Sequence, residues 1–457
     1  MTLPLTRRTV LLGSAASALL AACATGASDR PRPPIVFVHG NGDSAALWMT
    51  TLWRFESNGW PRDRLRAIDI PYPLARDDDT QPQPGRSSTT ENRDYLAGQV
   101  DAMLAATGAD RVVLIANSRG GNAVRNYIAN AGGAAKVSHA ILCGTPNHGV
   151  FADPTRAPNA EFNGAGTFLA GLNRRPDGSE VTPGPAWLTI RSDQNDKYAQ
   201  PDGVWIGSKG KPTNVGFDGP ALRGAENVEI AGIDHRETAY SPKAFAAMFR
   251  FLTGRPPVTS DVTPEATVRL DGLVSGYAAY GAQGTVPTNL PLPGATVEVY
   301  RTSAATGERL GPALHRRTVG ADGRWGPFDT DPAASLEFVL AAPGYATTHV
   351  YRSPFPRSSA VVDLRVEQIP DADRDSAAVV VLTRPRGYFG IPRDEVVFDG
   401  HSPAPGIPPG VAGVAASRLK LTDATARPLV GVFDGERIVG RPWPTAHNEL
   451  TYLEMTW

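Results

Sequence analysis

The sequence predicts a doubly wound α/β domain followed by all-β sandwich structure, on three observations. Short apolar runs at residues 35–38, 66–70, 112–115, 140–142, 187–190 and 228–230 are spaced by helix-like stretches such as 92–106 and 242–252. Continuous apolar strands of this kind fit a parallel sheet covered on both faces, where alternation with polar residues is lost. The pattern then breaks at Pro256-Pro257, and after Ala266 the texture becomes short alternating strands with turn signals, as in "ATVRLDGLVSG", "PGATVEVYRT" and "SLEFVLAAPGY". The expected organisation is residues 34–255 as the α/β domain, 256–266 as a linker, 267–370 as a β-sandwich and 371–457 as a further β segment that either stands alone or extends the sandwich.

Composition sets the bounds. A chain of 457 residues, 41% hydrophobic and 20% charged, exceeds what one core usually covers. A net charge of -1 with no long basic run leaves no electrostatic footprint for nucleic acid, so that partner class is set aside. Nothing in the sequence fixes an oligomeric state.

The N-terminus reads as an address. Arg7-Arg8 precede an apolar, small-residue run over residues 10–22, too short to span a bilayer and typical of a cleaved export signal. "TRRTVL", residues 6–11, resembles a twin-arginine motif, and "LAAC", residues 20–23, resembles the bacterial lipoprotein box in which Cys23 is lipidated and becomes the first mature residue. An ordinary signal peptide with a chance cysteine is the other reading. Residues 24–33 then form a tether, and the chain is expected to be exported, as a periplasmic or cell-surface lipoprotein or an extracellular protein, touching a membrane only through its lipid.

With Cys23 lipidated only Cys143 remains, so no internal disulfide forms, and neither zinc nor redox C-x-x-C pairs are present. Cys143 ends an apolar run and reads as a buried small hydrophobe. "DADRD", residues 371–375, imitates a calcium loop but has Ser376 where Gly is needed and Leu382 where Glu is needed, so it reads as a solvated turn. No metal or cofactor is expected.

The chemistry centres on "IANSRGG", residues 115–121, which follows a strand and opens a helix. In a nucleophile elbow the serine sits at the apex, and small residues two before and two after let the backbones approach. The frame here is Ala116-Asn117-Ser118-Arg119-Gly120, with Ala in place of the usual first Gly. Downstream, "WLTIRSDQNDKYAQPDG" offers Asp193 and Asp196 on the loop after one strand, and "VEIAGIDHRETAYSPKAF" offers His235 after the next. Both loops fall at the C-terminal sheet edge, where open α/β sheets bind ligands. Asp234 is excluded as the acid, because a carboxylate seldom reaches the ring of its own neighbour.

Four motifs in order, "VFVHGNG", "IANSRGG", "GTPNHG" and "DHRETAYSP", resemble the α/β-hydrolase superfamily, and within it the bacterial lipases and esterases. "LPGATVEVY", "GADGRWGPF" and "FVLAAPGYA" resemble the small transthyretin-like or carboxypeptidase-regulatory-like β-sandwich. The first resemblance implies Ser118 as nucleophile, His235 as base and, from its distance to Pro201, Asp196 as acid, with Asp193 as the alternative. It implies backbone N–H donors at Arg119 and Asn41 for the oxyanion. The insertion over residues 150–185 would cover the acyl pocket, with Phe151, Phe162, Phe168, Leu169 and Leu172 as its walls or as ordinary helix-packing groups, and His148 bordering the pocket or satisfying a turn; His39 reads as structural and His139 as a surface residue. The implied activity is that of a secreted lipase or esterase cleaving carboxylic esters through an acyl-enzyme. A polyester depolymerase with the same triad, and a noncatalytic surface-binding lipoprotein, are the alternatives.

Overall fold

Both faces of the central sheet are apolar, and this is why its strands read as unbroken runs. A computed structural model describes residues 32–280 and 284–457; the stretch expected to be an export signal, with Cys23, lies outside the described residues. Strands β1 (Ile35–Val38), β2 (Leu65–Ile68), β5 (Val112–Asn117), β6 (Val137–Cys143), β7 (Ala186–Ser192) and β8 (Glu226–Ile230) form one sheet in the order β2-β1-β5-β6-β7-β8. Every neighbouring pair in it is parallel. Along β1, Ile35 and Phe37 enter one buried cluster while Val36 and Val38 enter the other, and β5 divides in the same way. The helices covering these faces are α1 (Met49–Ser57), α2 (Thr89–Thr107), α3 (Arg119–Asn130), α4 (Gly133–Lys136), α5 (Thr167–Asn173), α6 (Glu237–Tyr240) and α7 (Pro242–Thr253). A two-stranded parallel ribbon, β3 (Leu74–Ala75) with β4 (Arg86–Ser87), lies in the stretch between β2 and α2.

Local chemistry marks the helix ends. Ser88 and Glu91 form a reciprocal capping box at the start of α2, and Gly108 closes it with φ 63°. Ser241 caps α7, Pro242 occupies its first turn and Gly254 ends it.

Past the linker, β9 (Val268–Leu270), β10 (Val274–Ala279), β11 (Thr285–Pro287), β12 (Thr296–Thr302), β13 (His315–Thr318), β14 (Phe328–Thr330), β15 (Ser335–Ala341), β16 (Thr347–Arg352) and β17 (Leu364–Val366) are followed by β18 (Ala378–Thr383), β19 (Val396–Phe398), β20 (Ala416–Leu421), β21 (Leu429–Phe433), β22 (Glu436–Gly440) and β23 (Glu449–Glu454). The largest sheet runs β13-β12-β15-β16-β23-β18-β20, so the last segment continues the sheet begun by β12. The join is parallel, β16 to β23 and β23 to β18.

The α/β and β parts share a core. Ala45, Met49 and Trp53 belong to the same buried cluster as Val297, Leu336 and Phe338 of the β part. Trp53 Nε1 donates to Ser358 O at 2.9 Å. Helix α1 is therefore apolar on two sides, with Phe55 on the sheet and Trp53 on the β part.

His39 is fully buried behind the β1 turn, with Nδ1 2.8 Å from Gly40 O and Nε2 accepting from Ile70 N at 3.0 Å. These contacts use the neutral ring. His139, expected at the surface, instead lies inside β6, half-buried edge-on to Phe251 at 5.6 Å. Burial lowers the His39 pKa from 6.5 to about 4, so the unfolded chain binds its proton first and stability is present above 6.5 and lost as pH falls. From about pH 8 to about pH 4 this one group should remove roughly 3 kcal/mol of unfolding free energy. Urea titration across that range measures the loss, and the His39 ring resonance in NMR should keep its neutral position until about pH 4.

Candidate active site

Ser118 stands between β5 and α3 with φ 50° and ψ -121°, a left-handed conformation that a side chain disfavours. Its surroundings impose it. Ser118 N–H donates to Cys143 O at 2.8 Å, and a Cβ on Gly120 would stand 2.6 Å from both His39 O and Val38 O. A Cβ on Gly40 would meet the Ser118 Cβ at 3.0 Å, so the β1 turn and the elbow touch. Ala116, the departure from the usual motif, is accommodated fully buried in β5. Cys143 is fully buried too, and burial pushes its thiol pKa upward.

The acid and base loops converge beside this turn. His235 Nδ1 lies 2.9 Å from both Asp196 Oδ1 and Oδ2. Asp193 is engaged by backbone away from the ring: it accepts from Asn195 N and Nδ2 on its own loop and from Gly232 N on the loop after β8. His235 Nε2 is buried without a hydrogen-bond partner among the described residues. His235 and Ser118 line one cavity of about 350 Å³. Tyr198 closes over the imidazole edge-on, ring centroids 4.7 Å apart.

Asn41 lines the same cavity, its Oδ1 accepting from Ala75 N at 2.7 Å. Arg119 N–H opens α3, where the first amides have no intrahelical acceptor. The Arg119 side chain points to other work: it is buried against Glu161, Nε to Oε2 2.7 Å, and donates to Ser87 O at 2.7 Å and Pro73 O at 3.1 Å. Burial raises the Glu161 pKa, with Arg119 opposing the shift.

Phe162 lines the Ser118 cavity. His148 does not; it lines a neighbouring cavity that also touches Asp196 and His235, and its Nε2 is 3.1 Å from Glu180 Oε1. Phe168 lines neither cavity, because α5 leaves it half-buried on the helix while Leu169 takes the fully buried position. Phe151 lines the Ser118 cavity beside Phe162.

Sequence reasoning missed the contribution of the β part. Asp234, beside the base, is buried and accepts from Arg384 Nη1 at 2.8 Å and from Tyr388 N at 2.7 Å. Burial alone would raise its pKa, but the Arg384 and Arg393 guanidiniums hold it below the usual carboxylate range. Arg384 Nη2 also reaches Glu237 Oε1 at 2.6 Å. Tyr388 lines the Ser118 cavity, with Lys197 Nζ 3.8 Å from its ring centroid and Arg236 4.6 Å away. Burial, reinforced by Arg236, lowers the Lys197 pKa to about 8. Arg236 in turn is paired with Asp43 of the β1 turn. These partners lie 147 or more positions apart in the chain, and no local motif announces them.

Fold and elbow together define an α/β hydrolase. Consistently, residues 33–205 match the alpha/beta hydrolase fold family and residues 266–369 match the lipase C-terminal domain family, so the chain combines an α/β-hydrolase domain with a lipase C-terminal domain. Among solved structures it is similar to a Bacillus licheniformis lipase in mature form, at 20% identity over 49% of this chain and 94% of that one, with a TM-score of 0.36. Similarity to Aspergillus fumigatus lipase B is 14% over 52% and 56%, TM-score 0.34. Similarity to a Bacillus subtilis carboxylesterase is 13% over 50% and 86%, TM-score 0.28.

The Arg384–Asp234 pair is nearly solvent-free, with side chains 3% and 0% exposed. Replacing Arg384 by Met should leave the buried Asp234 carboxylate with only the more distant Arg393, at 3.6 Å, as cationic partner and cost about 3 kcal/mol in denaturant unfolding. Adding Asp234→Asn should recover part of that loss, which a double-mutant cycle measures.

Proposed function

We propose that the protein hydrolyses carboxylic esters through an acyl-enzyme on Ser118. The observation that carries this reading is the arrangement of His235, with Nδ1 held by both Asp196 oxygens and Nε2 left without a partner in the cavity that Ser118 shares. Ser118 Oγ attacks the ester carbonyl carbon and its proton passes to His235 Nε2. Asp196 keeps the proton on Nδ1 and stabilises the imidazolium. The backbone N–H groups of Arg119 and Asn41 hold the oxyanion. The carbon–oxygen bond to the alcohol then breaks as His235 returns the proton to it. Water, deprotonated by His235, attacks the acyl carbon, releases the acid and restores Ser118.

The reading extends to export with Cys23 as the lipidated residue. No described helix is long and apolar enough to cross a membrane. Labelling with palmitate in cells should mark the chain, and Cys23→Ser should abolish the label.

A series of 4-nitrophenyl esters of rising acyl length tests the chemistry. Ser118→Ala should lose about a million-fold in kcat, and Asp196→Asn about ten-thousand-fold. Asp193→Asn, away from the ring, should stay within about tenfold of the parent. A Ser118→Ala variant as active as the parent overturns the nucleophile, and a folded parent inert on the whole series favours a binding role.

A further inference from the structure

The Ser118 cavity is lined by more than apolar surface. Beside the rings of Phe151 and Phe162, the guanidinium-bearing side chains of Arg76, Arg86 and Arg156 reach its wall. A pocket for neutral acyl chains gains nothing from such groups, since drawing cations out of water is costly without an anionic partner.

What the three arginines already bond to does not exhaust them. Arg76 Nη2 meets Glu91 at 2.7 and 2.9 Å, and Arg86 Nη1 donates to Ala75 O at 2.8 Å. Yet Nε of both Arg76 and Arg86 is buried with no protein acceptor among the described residues. Arg156 rests over the Phe151 ring at 5.0 Å, donates to Ser208 Oγ, and makes no ion pair among the described residues. Of the carboxylates on the lining, one faces these charges, and from solvent. Asp43 is bound by Arg236, while Asp77 stands 3.7 Å from Arg86 with its side chain 78% exposed.

The arginines are also held in register with the nucleophile. Arg76 directly follows β3 and Arg86 opens β4. That ribbon is bound to the elbow through Arg119, which donates to Pro73 O and to Ser87 O and Oγ. A group bound by Arg76 and Arg86 is therefore at a fixed offset from Ser118.

We propose that the cavity selects esters whose acyl part carries a second, free carboxylate, bound by Arg156 with the positive charge of the Arg76 and Arg86 guanidiniums beside it. The proposal rests on the esterase reading and names its substrate class: half-esters of short dicarboxylic acids, for which about 350 Å³ is sufficient room. Planar guanidinium donors match a carboxylate in shape as well as charge.

The test compares 4-nitrophenyl hemisuccinate and hemiglutarate with the same substrates capped as methyl esters, so that only the charge changes. The full-length protein without its signal should favour the free carboxylate by about tenfold or more in kcat/KM. The preference should shrink as salt is raised, and free glutarate should inhibit hydrolysis of the capped ester competitively. In Arg156→Gln and Arg86→Gln the ratio of the two kcat/KM values should fall toward one. Equal or faster turnover of the capped ester by the parent overturns the proposal, as does a ratio that survives both substitutions in folded protein. Absence of turnover on every ester, by contrast, overturns the esterase reading itself.

Discussion

The backbone of Ser118 is the constraint on which the rest of the site depends. A non-glycine residue at φ 50° costs of order 1 to 3 kcal/mol and persists only where its neighbours over-determine it. Here they do so from three sides. Cys143 O accepts the Ser118 amide, the missing Cβ of Gly120 lets α3 approach the β1 carbonyls, and Gly40 brings the next turn against the serine itself. Asn117, one residue earlier, donates from Nδ2 to Cys143 O at 3.0 Å and reaches His235 O at 3.3 Å. The strained turn is thus tied to the backbone of the base, so the elbow and the histidine loop are set by one network.

That network continues into the β part. A carboxylate immediately beside the base, Asp234, is tolerable in a buried position only with cationic and N–H partners, and Arg384 and the Tyr388 amide supply them. On the other side of the site, Asn289 donates to Asp43 O at 2.9 Å and Ile70 O at 3.0 Å, bracing the β1 turn that carries Asn41. The shared core around Trp53 adds apolar burial to these polar joins. The β part is therefore structural support for the loops that carry His235 and Asn41 as well as a source of cavity wall.

The sheet was legible in the sequence because burial on both faces writes a strand as an apolar run, and the order of Ser118, Asp196 and His235 follows the strands in which those loops are rooted. The elbow was legible because close backbone approach demands glycine at position 120. Other features depend on register or distance that no local pattern records. Phe168 and Leu169 are adjacent apolar residues on a short helix, and which of them faces inward is decided by packing around α5. Arg384 and Tyr388 lie in a segment with no recognisable motif, yet they meet a residue 150 and 154 positions away. The ribbon of β3 and β4 has only two residues per strand, too short for any periodicity to show.

The three aspartates around His235 show how environment, more than residue type, separates roles. Asp193, against the effect of burial, is held below the usual carboxylate range by Asn195 and Gly232 amides, so its oxygens are committed to backbone of its own loop and of the loop after β8. Asp234 is committed to the arginines of the β part. Asp196 alone spends one loop hydrogen bond, from Tyr198 N to Oδ1, and still presents both oxygens to the imidazole at 2.9 Å. Sequence order admits Asp193 and Asp196 equally, since both follow β7. The distinction comes from which carboxylate the loop itself has already used. A carboxylate saturated by backbone amides has little left to orient a ring, whereas one with free acceptor sites can hold the Nδ1 proton and fix the tautomer that leaves Nε2 facing chemistry.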